Sequence, residues 1–166
     1  MKKIYIYSPD VFEKDSFELS KRIKELCKKY NFEALSLDDS KIDKQQPKQV
    51  IANEMHLANK ELIESSDIVL ANLNSFRGTE CHSGAAWVCG YAHALNKKIY
   101  GYLFRGTTYL QQFKDDEILG TKNGYTDLNG RQIEDFDYPT NHMIACSLEK
   151  IIMGNMEDAL KDISSL

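Results

Sequence analysis

The stretch from Asp67 to Ala92 constrains this chain more than any other. It opens with an apolar, partly β-branched run, Ile68 to Leu73, of a length suited to one buried strand. A polar loop carrying Gly78 and Gly84 follows, and then a helix-compatible segment from Ala85 to Leu95 that is rich in small residues. Strand, polar turn and small-residue helix start together form the ligand-facing edge of an α/β sheet. Backbone N–H groups there have no intrahelical partner, and the helix dipole is positive. A ligand is expected at this edge.

The flanking sequence supplies the matching elements. Residues 3–8 read as a first strand that ends at the turn Ser8-Pro9-Asp10. From Glu13 to Tyr30 the apolar residues Leu19, Ile23, Leu26, Cys27 and Tyr30 share one helical face, and Asn31 is a stop signal. A second strand is expected over Phe32–Leu37, a polar loop over Asp38–Gln46, and a second helix over Pro47–Ser65 that packs through Val50, Met55, Ala58, Leu62 and Ile63. The third strand is the Ile68–Leu73 run, the third helix follows Gly84, and a fourth strand is expected over Ile99–Phe104. Arg105 to Thr140 is polar and glycine-rich, a connection long enough to suggest function. A last helix is expected over Ser147–Ile163, capped by Ser147 without a complete capping box. Alternating strands and helices predict an α/β fold, a flavodoxin-like doubly wound parallel sheet, in a single domain over residues 1–166. The ligand then sits beyond the first and third strands, near Ser8, Asn72 and Gly84.

Composition excludes several function classes. A net charge of -4 does not suit a nucleic-acid partner, and the basic run Lys21–Lys29 reads as a solvated helix face. No apolar run reaches membrane-spanning length, and the start of the chain leads directly into a strand pattern rather than a signal peptide, so no membrane partner is expected. The 4 cysteines (Cys27, Cys81, Cys89, Cys146) have no paired spacing and fit free thiols in a reducing, cytoplasmic setting.

Several segments, in order, resemble the nucleoside 2-deoxyribosyltransferases. They are Tyr5-Ile6-Tyr7-Ser8-Pro9-Asp10-Val11-Phe12, then Asp67 to Leu73 with Phe76-Arg77-Gly78, then Ser83-Gly84 leading to Gly90-Tyr91-Ala92, Ile133 to Phe136, and Asn141 to Ile144. The resemblance implies an enzyme that moves 2-deoxyribose between nucleobases, or hydrolyses the N-glycosidic bond, without a cofactor. In that family a Glu early in the third helix attacks the anomeric carbon. The oxocarbenium-like transition state requires an anion beneath the ring. Here that position is Val88, and the family's acid before Ser-Gly is His82. Tyr5 matches a tyrosine that holds the nucleophile, and Asn59 a group near the base. Phe12 is expected to line the pocket, Ser8 and Ser83 to meet a hydroxyl or phosphate, and Asp10 to contact sugar hydroxyls. Asn141 and Met143 match residues that reach into a neighbouring subunit's site, which implies a homo-oligomer with composite sites. The implied small-molecule partner is a deoxynucleoside or nucleotide.

Each residue also has a plainer reading. Val88, with Ala92 one turn later, fits an ordinary core stripe. His82 is either a general acid in place of the carboxylate or a polar residue at a helix start. Glu80 is the nearest remaining carboxylate and a candidate substitute nucleophile, and Cys89 is expected to be rotated into packing. Of Tyr5 and Tyr7, at most one is expected to face the ligand. Cys81, His82 and His142 lack the spacing of a metal site, so none is expected. The functional readings are therefore a transferase or hydrolase slowed at Val88, a nucleoside or nucleotide sensor that has lost the chemistry, and a glycosidase that guides water through His82 or Glu80.

Overall fold

The computed structural model describes residues 1–37 and 42–166; Asp38 to Lys41, within the expected polar loop, lie outside the described residues. Five parallel strands form the main sheet in the order β2-β1-β3-β4-β7. They are β1 (Lys2–Tyr7), β2 (Phe32–Leu35), β3 (Ile68–Asn72), β4 (Lys98–Leu103) and β7 (Lys150–Met153). This is the flavodoxin-like order, with its reversal point between β1 and β3. Helices α1 (Ser16–Lys29), α2 (Lys48–Ser65), α3 (Ser83–Ala94) and α5 (Met156–Ser164) flank it, and a short α4 (His142–Ala145) precedes β7.

Side chains alternate across each strand and so divide the core into two layers. Ile4, Ile68, Leu70, Tyr100, Tyr102 and Ile152 pack with Cys27 of α1 and with Met156, Ala159, Leu160 and Ile163 of α5. On the opposite face Tyr5, Val69, Ala71, Ile99 and Leu103 pack with Ile63 of α2 and with Ala85, Val88, Cys89 and Ala92 of α3. Every residue of β3 is buried, as a central strand covered on both faces requires. Each fully buried Leu or Ile side chain contributes about 1.5–3 kcal/mol. The face of α1 predicted from periodicity is the one that turns inward, and Asn31 ends the helix with a left-handed φ of 64°. Val50 of α2, expected to pack, is instead exposed.

The C-terminal third departs from expectation. In place of one helix over Ser147–Ile163 the chain forms β7 and then α5. Ser147 closes a helix rather than opening one: its Oγ donates to the Ile144 carbonyl 2.7 Å away. The helix start lies at Asn155, whose Oδ1 accepts from the Glu157 and Asp158 N–H groups at 2.8 and 3.1 Å. Asp158 accepts in return from the Asn155 N–H at 2.9 Å, completing a capping box. Gly154, at φ 134°, supplies the turn that separates strand from helix. Residues 105–140, expected to be irregular, contain 3-10 turns and an antiparallel hairpin of β5 (Ile118–Thr121) and β6 (Gly124–Asp127). Among the described residues no helix is long and apolar enough to cross a membrane.

Candidate functional site

The sheet edge beyond β1 and β3, where the ligand is expected, carries a layer of bonded amides. Asn72 Nδ2 donates to Ser8 Oγ at 3.1 Å, and both residues are buried. Asn72 Oδ1 accepts from the backbone N–H and the Nδ2 of Asn74 at 3.0 and 2.7 Å, and Asn74 Oδ1 accepts from the Phe104 N–H at 2.9 Å. The Ser8 hydroxyl is therefore engaged inside the protein.

His82 starts α3. Its Nδ1 accepts from the Gly84 N–H at 3.1 Å and lies 2.7 Å from the Tyr7 hydroxyl. An amide can only donate, so Nδ1 is the acceptor and carries no proton. Tyr7 then donates to it, and the ring proton sits on Nε2. The imidazole is surrounded by rings, with centroids 4.8 Å from Phe76, 5.3 Å from Phe12 and 5.9 Å from Tyr7. The Arg77 guanidinium lies over the Phe76 and Phe12 rings, 4.8 and 5.8 Å from their centroids. Arg77 itself holds a left-handed φ of 55°, strained backbone of a kind that concentrates at functional sites. Phe12, at 58% exposure, presents this cluster to solvent. It closes the 3-10 turn Pro9–Phe12, which also carries Asp10.

Deeper in, Tyr5 is buried and its hydroxyl donates to Asn59 Oδ1 at 2.8 Å, while Asn59 Nδ2 donates to the Met55 carbonyl at 2.8 Å. Burial, and then the neighbouring Tyr7, push the Tyr5 phenol far above its ordinary range; burial, and then Cys81, raise Tyr7. Both stay neutral hydrogen-bonding groups. Val88 is 2% exposed and packs in the same apolar layer as Tyr5. No Asp or Glu occurs in α3. The thiols offer no replacement anion, because burial, with Glu80 adding to it, pushes Cys81 up to about 11, and burial, with Cys81 adding to it, pushes Cys89 up to about 12. Cys89 is packed, as helix geometry predicts. Glu80 accepts from the Tyr109 hydroxyl, which ties the loop before α3 to the long connection after β4.

Tyr5 and Tyr7 point to the same side of β1 rather than to opposite sides. Residues two apart share a strand face, and the two hydroxyls reach Asn59 of α2 and His82 at the start of α3. Tyr7, Phe76 and Arg77, which lie in the segments that carry the resemblance but have no site role expected there, are thus neighbours of His82. The period of the strand was the signal for Tyr7.

The Asn141 segment is organised locally. Asn141 Oδ1 caps α4 by accepting from the Met143 N–H at 3.0 Å, and its Nδ2 donates to Glu134 Oε1 at 2.7 Å. Glu134 Oε2 accepts from the His142 N–H at 3.0 Å and lies 3.0 Å from His142 Nδ1, out of line for a hydrogen bond. Burial draws the Glu134 carboxyl upward, but the His142 side chain and backbone N–H outweigh it and hold it below its ordinary value. Met143 points out, 71% exposed, while Ile144 joins the layer that contains Val88. Tyr5 and Val88 thus share one layer, with Asn59 bonded to Tyr5, and His82 bonded to Tyr7 and the Gly84 N–H, with Phe12 against its ring. Ser83 is exposed. Ser8 is not brought to them: its hydroxyl meets Asn72 and Tyr102, and Tyr102 belongs to the opposite layer. Among the described residues no group of three or more His, Cys, Asp or Glu is placed to hold a metal ion.

The family profile of the nucleoside 2-deoxyribosyltransferases matches residues 4–143, a span that includes every one of these side chains. The chain belongs to that family. Among solved structures it is similar to a 2-deoxyribosyltransferase from Leishmania mexicana, with 23% identity over 99% of this chain and 98% of that one and a TM-score of 0.76. A 2-deoxyribosyltransferase from Bacillus psychrosaccharolyticus shares the fold at 15% identity and a TM-score of 0.59, covering 99% of this chain and 91% of that one. A CMP N-glycosidase from Clostridium botulinum does so at 12% identity and a TM-score of 0.51, with 98% of each chain covered. No curated protein matches the sequence. Deoxyribosyltransferase lineage and flavodoxin-like sheet are thus fixed together.

Proposed function

We propose that the crevice beyond β1 and β3 handles deoxynucleosides, and that transfer or hydrolysis of the N-glycosidic bond is strongly slowed in this chain by Val88. The observation that supports this reading is the place of Val88, buried one turn into α3 and packed in one layer with Tyr5; the family resemblance puts the nucleophile at this position. An isopropyl group cannot attack an anomeric carbon or balance an oxocarbenium charge. The surrounding neutral donors and aromatic faces still suit a sugar hydroxyl and a planar base. Asn141 and Met143 would complete the site of a neighbouring copy.

A second reading is a sensor that binds a nucleoside or nucleotide without transforming it. It draws on the engagement of the Tyr5 hydroxyl by Asn59, which leaves it no carboxylate to hold. Val88→Glu separates the two. Loss of a nucleophile costs on the order of 10⁴–10⁶ in rate. Restoring the carboxylate is expected to raise base exchange between a deoxynucleoside and a free base by a comparable factor, followed by chromatography of the exchanged nucleoside. Calorimetric binding with no gain on Val88→Glu would favour the sensor. Robust exchange or hydrolysis by the unaltered chain, abolished by His82→Ala, would overturn both in favour of water guided by His82.

A further inference from the structure

The Tyr7 ring rests on the backbone of α3. A Cβ added at Gly84 would collide with the Tyr7 hydroxyl and lie 2.7 Å from its Cζ, so only glycine admits the phenol there. Gly84 and Val88 are four residues apart and share one face of α3. The ring therefore stands on the first turn of the helix, on the side that leads to position 88, and Val88 is 2% exposed. The Tyr7 ring packs against the layer that holds Val88, and its hydroxyl has one hydrogen bond among the described residues, to His82 Nδ1. His82 keeps its own role without that bond, because the Gly84 N–H still donates to the same nitrogen. Phe12 and Phe76 pack together with Arg77 over them, and Phe12 is exposed to solvent.

We propose that Tyr7 controls access to the crevice: a sugar reaches the first turn of α3 only after the Tyr7–His82 bond breaks and the phenol turns outward towards Phe12 and Phe76. The inference deepens, and rests on, the reading of this crevice as a deoxynucleoside site, and its test is built so that the two can fail separately.

A thiol introduced by Val88→Cys reports access without any ligand. Its labelling by methyl methanethiosulfonate, located by tandem mass spectrometry, is compared in the otherwise native chain and with Tyr7→Ala or Tyr7→Phe added. Cys27, buried in the opposite layer, serves as the internal control for general loosening. Tyr7→Ala is expected to speed labelling at position 88 at least tenfold with Cys27 unchanged, and Tyr7→Phe, which loses only the hydroxyl, by a smaller factor. Equal rates at position 88 in all three chains would overturn the proposal. Should Tyr7→Ala accelerate both sites together, Tyr7→Phe decides: a rise confined to position 88 upholds the gate, and no such rise overturns it. In a second arm thymidine and 2-deoxyadenosine are titrated calorimetrically into the native chain and Tyr7→Ala, with at least tenfold tighter binding expected for the variant. Native binding as tight as that of Tyr7→Ala would make Tyr7 a ligand contact and end the gate. Selective labelling without binding of either nucleoside would leave the gate standing and remove the nucleoside reading.

Discussion

At the scale of single residues the crevice is a set of neutral groups that hold one another. Tyr5 is bonded to Asn59, Tyr7 to His82 and Ser8 to Asn72, so the hydrogen-bonding capacity expected to meet a ligand is turned inward in this state. The buried thiols belong to the same pattern and make it measurable. Burial pushes Cys27 up to about 11 and, with Cys81 adding to it, Cys89 up to about 12, from an ordinary 9.0. A group whose folded pKa lies above its unfolded value stabilises the fold fully below the unfolded pKa and loses that contribution as pH rises towards the folded one. Stability is therefore expected to be flat from pH 7 to 8 and to fall above pH 9. The slope is up to about 1.4 kcal/mol per pH unit for each of these two thiols. Urea midpoints at pH 8 and pH 10 check it. The expectation requires the Cys27→Ser/Cys89→Ser double variant to show a shallower fall, and an unchanged slope would place the effect elsewhere.

At the scale of elements, the last third of the chain shows what sequence reading captured and what it missed. The elements with long, regular signals were legible: α1 through the spacing of Leu19, Ile23, Leu26, Cys27 and Tyr30, and β3 through its unbroken apolar run, each within a few residues of the observed bounds. β7 was not legible because Lys150–Met153 is only four residues long, and a segment that short carries neither period clearly. The deciding mark was local instead: Gly154 followed by Asn155 with Asp158 three residues on. That assignment predicts opposite outcomes for two caps. Asn155→Ala is expected to cost about 1 kcal/mol, since two backbone donors of α5 lose their acceptor. Ser147→Ala is expected to change little, because its hydroxyl only donates to a carbonyl at the end of α4. Urea denaturation of both variants distinguishes this arrangement from a continuous helix, in which the larger loss would fall on Ser147. The site followed the same rule as the fold. Gly84 could be read from the strand–turn–helix pattern and His82 and Val88 from the family resemblance, whereas the cluster of Phe12, Phe76 and Arg77 depends on how two separate turns meet.

At the scale of the whole molecule, the surface beside α4 bears on assembly. Phe136, Tyr138 and Met143 are 61%, 41% and 71% exposed, and the Phe136 ring lies 5.3 Å from that of His142, the residue before Met143. The segment is nevertheless held firmly from within, by the Asn141 cap on α4 and by Glu134 bridging Asn141 and the His142 backbone. A rigid, apolar, outward-pointing turn is what a subunit needs in order to insert Met143 into a neighbour at little cost in conformational entropy. Light scattering coupled to size exclusion is therefore expected to give a mass that is a multiple of the 19.0 kDa chain. Met143→Asp is expected to shift that mass towards the monomer, because it would place a charge in the contact. It should leave the far-ultraviolet circular dichroism unchanged, since the side chain is exposed. A strict monomer before any substitution would mean that each crevice must work with the residues of its own chain, and Asn141 would then be no more than the cap of α4.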